Sequence, residues 1–138
     1  MYDVILVGTD GSEPANRAVE HALSLAEQYG AEVHVLSVVD TGRYGEPALS
    51  STELVVDDLE DQSTDLLVEV EERAADQGVD VVTTCCHGNP HEKITAYADE
   101  IDADLTLLGS HGRSQTGHHI GSVADRVTRT IERPVLLT

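Results

Sequence analysis

The chain has 138 residues, enough for one compact unit with a single core and too few for two independent ones. Its 26 acidic and 8 basic residues give a formal net charge of −18, which repels phosphate and makes nucleic acid and anionic membranes poor partners. Without a long apolar run or a basic leader, the sequence predicts a soluble, cytoplasmic protein.

The charged residues also indicate a salt-rich environment. Lys93 is the only lysine, and the chain contains neither Phe nor Trp. Such an acidic, lysine-poor composition is typical of halophilic proteins, in which concentrated salt screens the repulsion between carboxylates. The alternative is an ordinary acidic protein from a mesophile.

The N-terminal segment predicts a strand–helix–strand unit. Residues 2–8 form an apolar run typical of a buried strand. A helix follows, with Ser12 as its N-cap, Pro14 in its first turn and Gly30 at its end. Its predicted core face comprises Ala15, Ala18, Val19, Ala22, Ala26 and Tyr29. Residues 31–39 then form a second strand, which the handedness of such crossovers makes parallel to the first.

The middle of the chain predicts a loop, a helix and a strand. Residues 40–52 show no periodicity and are predicted to form a loop. Ser50 and Glu53 form a capping-box pattern that opens a long acidic helix ending at Gly78. The apolar stripe of this helix comprises Val56, Leu59, Ser63, Leu67, Val70 and Ala74. Residues 79–86 are predicted to be a third strand containing two buried thiols, and residues 88–90 a turn.

The C-terminal part completes an alternating pattern. A helix carries Ile94, Tyr97, Ala98 and Ile101, residues 104–108 form a short strand, and a last helix starts at about Gly121. Residues 134–138 form a fifth strand, placed at a sheet edge by its leading proline. Helices alternating with continuously apolar strands predict an α/β fold with a parallel sheet covered on both faces.

Ligands of such sheets bind at the carboxyl ends of the strands, near the point where the strand order reverses. The candidate site is therefore formed by residues 9–12, 38–40 and 109–122. The last of these segments holds four of the eleven glycines, including Gly109, Gly112 and Gly121. Because it leads from a strand into a helix, it predicts an anion site made of unpaired helix N–H groups and the Ser122 hydroxyl.

Several polar residues are candidates for chemistry. Asp10 could hold a ribose or help to position a divalent ion. Its structural role could instead be to cap the helix that follows it or to make an Asx turn with Gly11 and Ser12. Arg113, with His118 and His119, could supply positive charge to the loop. Adjacent cysteines point to opposite faces of a strand, so Cys85 and Cys86 with the nearby histidines do not predict a metal site.

No catalytic motif accompanies the glycine loop. The sequence has no Walker A lysine, no Ser-x-x-Lys pattern and no Gly-x-Ser-x-Gly elbow. Phosphoryl transfer needs a cation and a positioned base, so binding, with at most a weak ATPase activity, is the better supported function.

The motifs taken together resemble the universal stress protein family over essentially the whole chain. They are the start VILVGTDGS, the strand end VLSVVD, the segment GNPHEKI, the segment LGSHGR, the GSV that opens the last helix, and the terminal RPVL. The resemblance implies a three-layer sandwich spanning residues 1–138 as one domain, with five parallel strands in the order 3-2-1-4-5 and two helices on each face. It also implies a homodimer formed through the last strand.

Some members of that family bind ATP, and the resemblance carries their site to named positions here. Gly109, Gly112, Gly121 and Ser122, with the Val123 amide, would hold the phosphates. Thr9, Asp10 and Val38 would lie by the ribose and adenine, and Arg113 would lie in the phosphate loop. The expected ligand is ATP, or AMP or ADP, with Mg²⁺ as a further expectation.

The loop departs from the family pattern by one residue. The ATP binders have nine residues between the second glycine and the Gly-Ser pair, whereas this chain has eight between Gly112 and Gly121. AMP, ADP or a simple anion therefore stay alternatives to ATP. The competing hypothesis is a dimeric interaction module of the same family that binds no nucleotide.

Overall fold

The structure is a computed structural model that describes residues 2–40, 49–110 and 122–138, with side chains of the second helix described from residue 58 onward. Strands and helices alternate along the chain. The strands are β1 (Val4–Gly8), β2 (Glu32–Asp40), β3 (Val81–Gly88), β4 (Leu105–Leu108) and β5 (Val135–Leu137). The helices are α1 (Glu13–Tyr29), α2 (Leu49–Gln77), α3 (Pro90–Ile101) and α4 (Ser122–Thr130).

The five strands form one parallel sheet in the order β3-β2-β1-β4-β5, as expected. Pairing is in register from Val4 opposite Glu32 to Gly8 opposite Leu36, and β2 continues beyond that point alongside β3. The order reverses between β1 and β4, and β3 and β5 are the two edges.

Two helices cover each face of the sheet. The core beneath α1 and α2 includes Ile5, Val7, Val33, Val35, Leu67, Val70 and Leu107. The core beneath α3 and α4 includes Leu6, Leu36, Ile94, Ala98, Leu108 and Val127. Odd residues of β1 therefore face α1 and even ones face α3, as the period of a strand requires. The predicted three-layer sandwich is confirmed.

Helix α1 begins and ends where the sequence predicted. The Ser12 hydroxyl accepts a hydrogen bond from the Ala15 N–H at 3.3 Å, and Gly30 adopts a left-handed conformation with φ of 69° at the C-terminus. One predicted core residue is wrong, because Tyr29 is 49% exposed and packs edge-on against the Tyr2 ring. Leu23, which is fully buried, belongs to the core face instead.

Three local predictions in the middle of the chain are also wrong. Helix α2 begins at Leu49, so Ser50 lies inside the helix and is not its N-cap. Strand β3 extends to Gly88, which belongs to the strand and not to a turn. Cys85 is exposed and Cys86 is half-buried, because β3 is an edge strand with a neighbouring strand, β2, on one side only. Both cysteines are free.

Candidate functional site

The carboxyl ends of β1 and β4 lie side by side at the point where the strand order reverses. Val7 pairs with Leu107, so the next residues along each strand bring Thr9 close to Gly109. Thr9 is buried, and its N–H donates to the Leu36 carbonyl at 3.0 Å, which fixes the end of β1 against β2. The sequence-predicted loops after β1 and β4 therefore start from neighbouring positions at one edge of the sheet.

Asp10 is exposed at this edge and shapes the turn into α1. Its Oδ1 accepts a hydrogen bond from the Ser12 N–H at 2.9 Å, and the Thr9 hydroxyl accepts one from the Gly11 N–H at 3.3 Å. The structural reading of Asp10 offered by the sequence is therefore confirmed. The arrangement engages Oδ1 with the backbone and places the carboxylate at the surface of the site.

Gly109 has a packing role that the sequence analysis missed. A Cβ atom at this position would lie 2.7 Å from the Ala15 nitrogen and 2.8 Å from the Pro14 carbonyl carbon. The end of β4 thus touches the backbone of the first turn of α1, and only glycine allows this approach. In the sequence, the signal for this contact was a glycine directly after β4 together with the small residues Pro14 and Ala15 in the first turn of α1.

Val38 marks the part of β2 that continues past the end of β1. The Val33 N–H donates to Asp80 on the β3 side at 3.2 Å, whereas the Leu36 carbonyl accepts from Thr9 on the β1 side. By this alternation, even-numbered residues of β2 direct their backbone groups toward β1. Because β1 ends at Gly8, the N–H and C=O of Val38 point past its end and into the candidate site.

The side wall next to Val38 contains two residues to which the sequence analysis gave no role in the site. Cys86 pairs in register with Val38 and packs on the same core, and the side chain of Lys93 covers Gly88. Burial raises the pKa of the Cys86 thiol, and the positive charge of Lys93 only partly opposes this. The thiol is therefore neutral near pH 7 and acts as a small apolar wall. The sequence carried a signal for this role of Cys86, because alternate residues of a strand share a face and Cys86 lies two residues before Gly88.

The N-terminus of α4 lies beyond the loop that follows β4. Ser122 is the first residue of α4 and is exposed, whereas Val123 packs against the core between α3, α4 and the sheet. The prediction that Ser122 stands at the start of the last helix is confirmed. Gly112, Arg113 and Gly121 lie outside the described residues, as do His118 and His119.

The C-terminal strand closes the base of the site. The Thr138 N–H donates to Leu108, the Ser110 N–H donates to Thr138, and the Thr138 hydroxyl donates to the Pro14 carbonyl at 2.7 Å. These bonds join β5, β4 and the start of α1, so the backbone at Ser110, just after β4, is held by two other elements. Among the described residues, no group of three His, Cys, Asp or Glu side chains is arranged to hold a metal ion.

Comparison with known proteins gives consistent results across sequence and structure. The profile of the Universal stress protein family matches residues 1–138. A universal stress protein of Methanocaldococcus jannaschii is 34% identical over 99% of this chain and 82% of its own length. None of the helices in the described part of the chain has the length and apolarity needed to cross a membrane.

Solved structures share the whole fold. The structure of the hypothetical protein MJ0577 superposes with a TM-score of 0.92 at 27% identity, covering 100% of this chain and 96% of that one. A universal stress protein solved in complex with cAMP superposes with a TM-score of 0.70 at 28% identity, covering 99% of this chain and 96% of its own.

Proposed function

We propose that this chain, which belongs to the universal stress protein family, binds an adenine nucleotide at the carboxyl edge of its sheet. The observation that carries this proposal is the backbone of Val38. Its N–H and C=O extend past the end of β1, beside the strand-order reversal where ligands of parallel sheets bind. A donor and an acceptor fixed on one rigid strand suit a flat, hydrogen-bonding base.

The pattern of these two groups favours adenine. An adenine edge presents the N6 amino donor beside a ring-nitrogen acceptor, which matches the Val38 C=O and N–H. On its O6/N7 edge guanine presents two acceptors, one of which would face the Val38 carbonyl. The related protein that binds cAMP supports this choice of base.

The remaining site residues take the roles that the family resemblance implies. Asp10 and Thr9 lie at the ribose, and the phosphates bind at the N-terminus of α4 through the Ser122 hydroxyl and the Val123 amide. Gly109, Gly112, Arg113 and Gly121 complete the phosphate loop. Mg²⁺ bound with the nucleotide would take most of its ligands from phosphates and water.

Calorimetry tests the proposal directly. ATP, ADP, AMP and cAMP are titrated into the protein in concentrated KCl, with and without Mg²⁺, and GTP serves as the base control. We expect heat with adenine nucleotides and little with GTP. Absence of both heat and a thermal shift at millimolar adenine nucleotide would refute nucleotide binding and leave the interaction module of the same fold.

Asp10→Asn tests the ribose contact. The amide oxygen can still accept from the Ser12 N–H, so α1 keeps its start while the charge is lost. We expect affinity for adenine nucleotides to fall about tenfold, the usual effect of losing one charge-assisted hydrogen bond. The matched control is Asp76→Asn near the end of α2, at the opposite end of the sheet, which should bind as the unaltered protein does.

Binding without efficient turnover is the proposed activity. Phosphate release during long incubation with ATP measures any residual hydrolysis, and Asp10→Asn reports whether that residue contributes to it.

We further propose a cytoplasmic homodimer joined through β5, whose residues Val135–Leu137 are only half-buried at the sheet edge. Sedimentation equilibrium tests the dimer, and a monomer mass at all concentrations would contradict it.

A further inference from the structure

Strand β3 forms the sheet edge opposite β5 and is a long, uncharged strand. Its eight residues, VVTTCCHG, contain no Asp, Glu, Lys, Arg or Pro, and none of them is buried. They pair without a bulge along β2, from Val81 opposite Val33 to Gly88 opposite Asp40. Edge strands of soluble proteins are normally protected by charge, proline, bulges or brevity, and β3 has none of these.

The outward backbone groups of β3 follow from its register. The Asp80 carbonyl accepts from Val33, so even-numbered residues of β3 direct their N–H and C=O groups toward β2. Those of Val81, Thr83, Cys85 and His87 point away from the sheet. Within the described ranges, no strand pairs with this side of β3. Four N–H and C=O pairs thus form a regular template for one more strand.

Two carboxylates of α2 lie along this edge. Glu71 accepts a hydrogen bond from the Thr83 hydroxyl at 2.9 Å, and Glu60 contacts His87 Nε2 at 2.6 Å. Both partners of the second pair are about half exposed, at 41% and 45%. Thr83 and His87 are four residues apart, so the two carboxylates are spaced by about 13 Å along the strand. Helix α2 adds further acidic residues and carries Arg73 as its one basic residue.

In the described part of the chain, the opposite side of β3 has no carboxylate paired with it and carries Lys93 over its carboxyl end. Val82 is 42% exposed, and Thr84 and Cys86 follow it on the same face as α3. An added strand would therefore meet carboxylates on its α2 side, and on its α3 side the exposed Val82 and a surface without carboxylates paired to β3. Because a strand alternates its side chains, these two sides select alternating basic and apolar residues.

We propose that the β3 edge binds an extended basic peptide segment of a partner protein by strand addition. Outward backbone groups of β3 supply the hydrogen bonds, and Glu60 and Glu71 attract Lys or Arg side chains placed on the α2 side. A second copy of this chain is the wrong partner by charge, since antiparallel pairing about β3 would bring two acidic α2 helices together.

Fluorescence anisotropy with a labelled peptide of alternating lysine and valine, seven residues long, tests the proposal in about 0.1 M KCl. We expect saturable binding to the full chain. The same peptide with every backbone nitrogen methylated should not bind, because it keeps its charge but loses its N–H donors. A peptide with glutamate in place of lysine should bind at least tenfold more weakly. Equal binding of the methylated peptide would overturn the proposal, since charge alone would explain it.

Variants locate the contact on the protein. Thr83→Pro removes an outward N–H that the sheet does not use, which edge strands tolerate, and should weaken binding at least tenfold. Thr83→Ala keeps that N–H and is the matched control. Glu60→Gln and Glu71→Gln should each weaken binding about two- to fivefold, whereas Glu69→Gln on the same helix should not.

Two results would contradict the assignment to β3. Unchanged peptide affinity in a folded Thr83→Pro variant would place binding elsewhere. Conversion of a dimer to a monomer by the same substitution would show that a second copy occupies the edge. The peptide experiments contain no nucleotide. Their outcome is therefore independent of whether calorimetry detects binding of adenine nucleotides.

Discussion

Asp104, just before β4, and Thr106, within it, show how single side chains affect the stability of this fold. The carboxylate of Asp104 accepts hydrogen bonds from the Asp3 and Val4 N–H groups at 2.8 and 2.9 Å, which secures the start of β1. Thr106, two residues later, is fully buried, and its hydroxyl has no hydrogen-bond partner among the described residues. The Asp104 carboxylate therefore has hydrogen-bond partners, whereas the neutral Thr106 hydroxyl has none among the described residues.

Asp104 predicts acid sensitivity. Its two backbone hydrogen bonds lower its pKa below the ordinary value of 3.8, so the unfolded state binds the proton more readily. The stabilisation is complete above about pH 5 and is lost as the pH falls through the lowered pKa of the folded state. Asp104→Asn should therefore unfold more easily at pH 7 but lose less stability between pH 5 and pH 2, as urea titrations would show. Parallel curves for both proteins would contradict this.

Thr106 predicts a stabilising substitution. Thr106→Val has nearly the same shape and removes a buried hydroxyl without a partner, so the free energy of unfolding should rise by about 1 kcal/mol. Thr84→Val is the control, because the Thr84 hydroxyl lies 3.2 Å from the Tyr97 hydroxyl and loses this contact. Thermal unfolding should move in opposite directions for the two variants. A lower Tm for Thr106→Val would mean that the hydroxyl is satisfied in solution.

At the scale of elements, the contact between β4 and α1 places the candidate site. The backbone of Gly109 touches the first turn of α1, and Thr138 bonds to the Pro14 carbonyl from the neighbouring strand. These contacts position the end of β4 relative to the turn between β1 and α1. The same glycine that resembles a phosphate-loop residue is therefore required by packing, whether or not a ligand binds.

Gly109→Ala tests this packing role. Its Cβ would meet backbone atoms below 3 Å, so β4 or α1 must shift, and we expect a loss of about 1–3 kcal/mol of stability with weaker nucleotide binding. Gly8→Ala is the matched control, because its Cβ would meet the movable Leu108 side chain at 2.8 Å. Urea unfolding and calorimetry on both variants give the comparison. Equal effects on stability would show that the helix adjusts freely.

At the scale of the whole molecule, charge is the dominant feature. Helix α2, with ten acidic residues and one arginine, carries half of the formal net charge of −18. Repulsion among these carboxylates opposes the compact state and also the entry of a nucleotide. Salt screens exposed charges over a few ångströms at molar concentration, so both effects should weaken together.

Stability should therefore rise with salt. Between about 0.1 M and 2 M KCl we expect Tm to increase by roughly 5 °C or more, measured by circular dichroism. The control replaces four exposed α2 carboxylates with amides, at Asp65, Glu69, Glu72 and Asp76. This variant should be more stable at low salt and gain less from KCl. An equal gain in both proteins would assign the effect to general salting-out.

The elements, the parallel sheet and the resemblance to the family could be predicted from the sequence, because apolar periodicity, helix caps and short motifs are local signals. Its errors have separate causes. Tyr29 is the last residue of α1, where the apolar spacing continues but the residue is exposed, and the capping pattern at Ser50 lies inside a helix that begins at Leu49. The apolar pattern of β3 did not reveal how far an edge strand leaves its cysteines exposed. The three-dimensional structure was needed to show that Gly109 contacts α1, that Val38 extends past the end of β1 and that no strand in the described ranges pairs with the outer side of β3. Each of these depends on the register and order of strands distant in the chain, which no local pattern encodes.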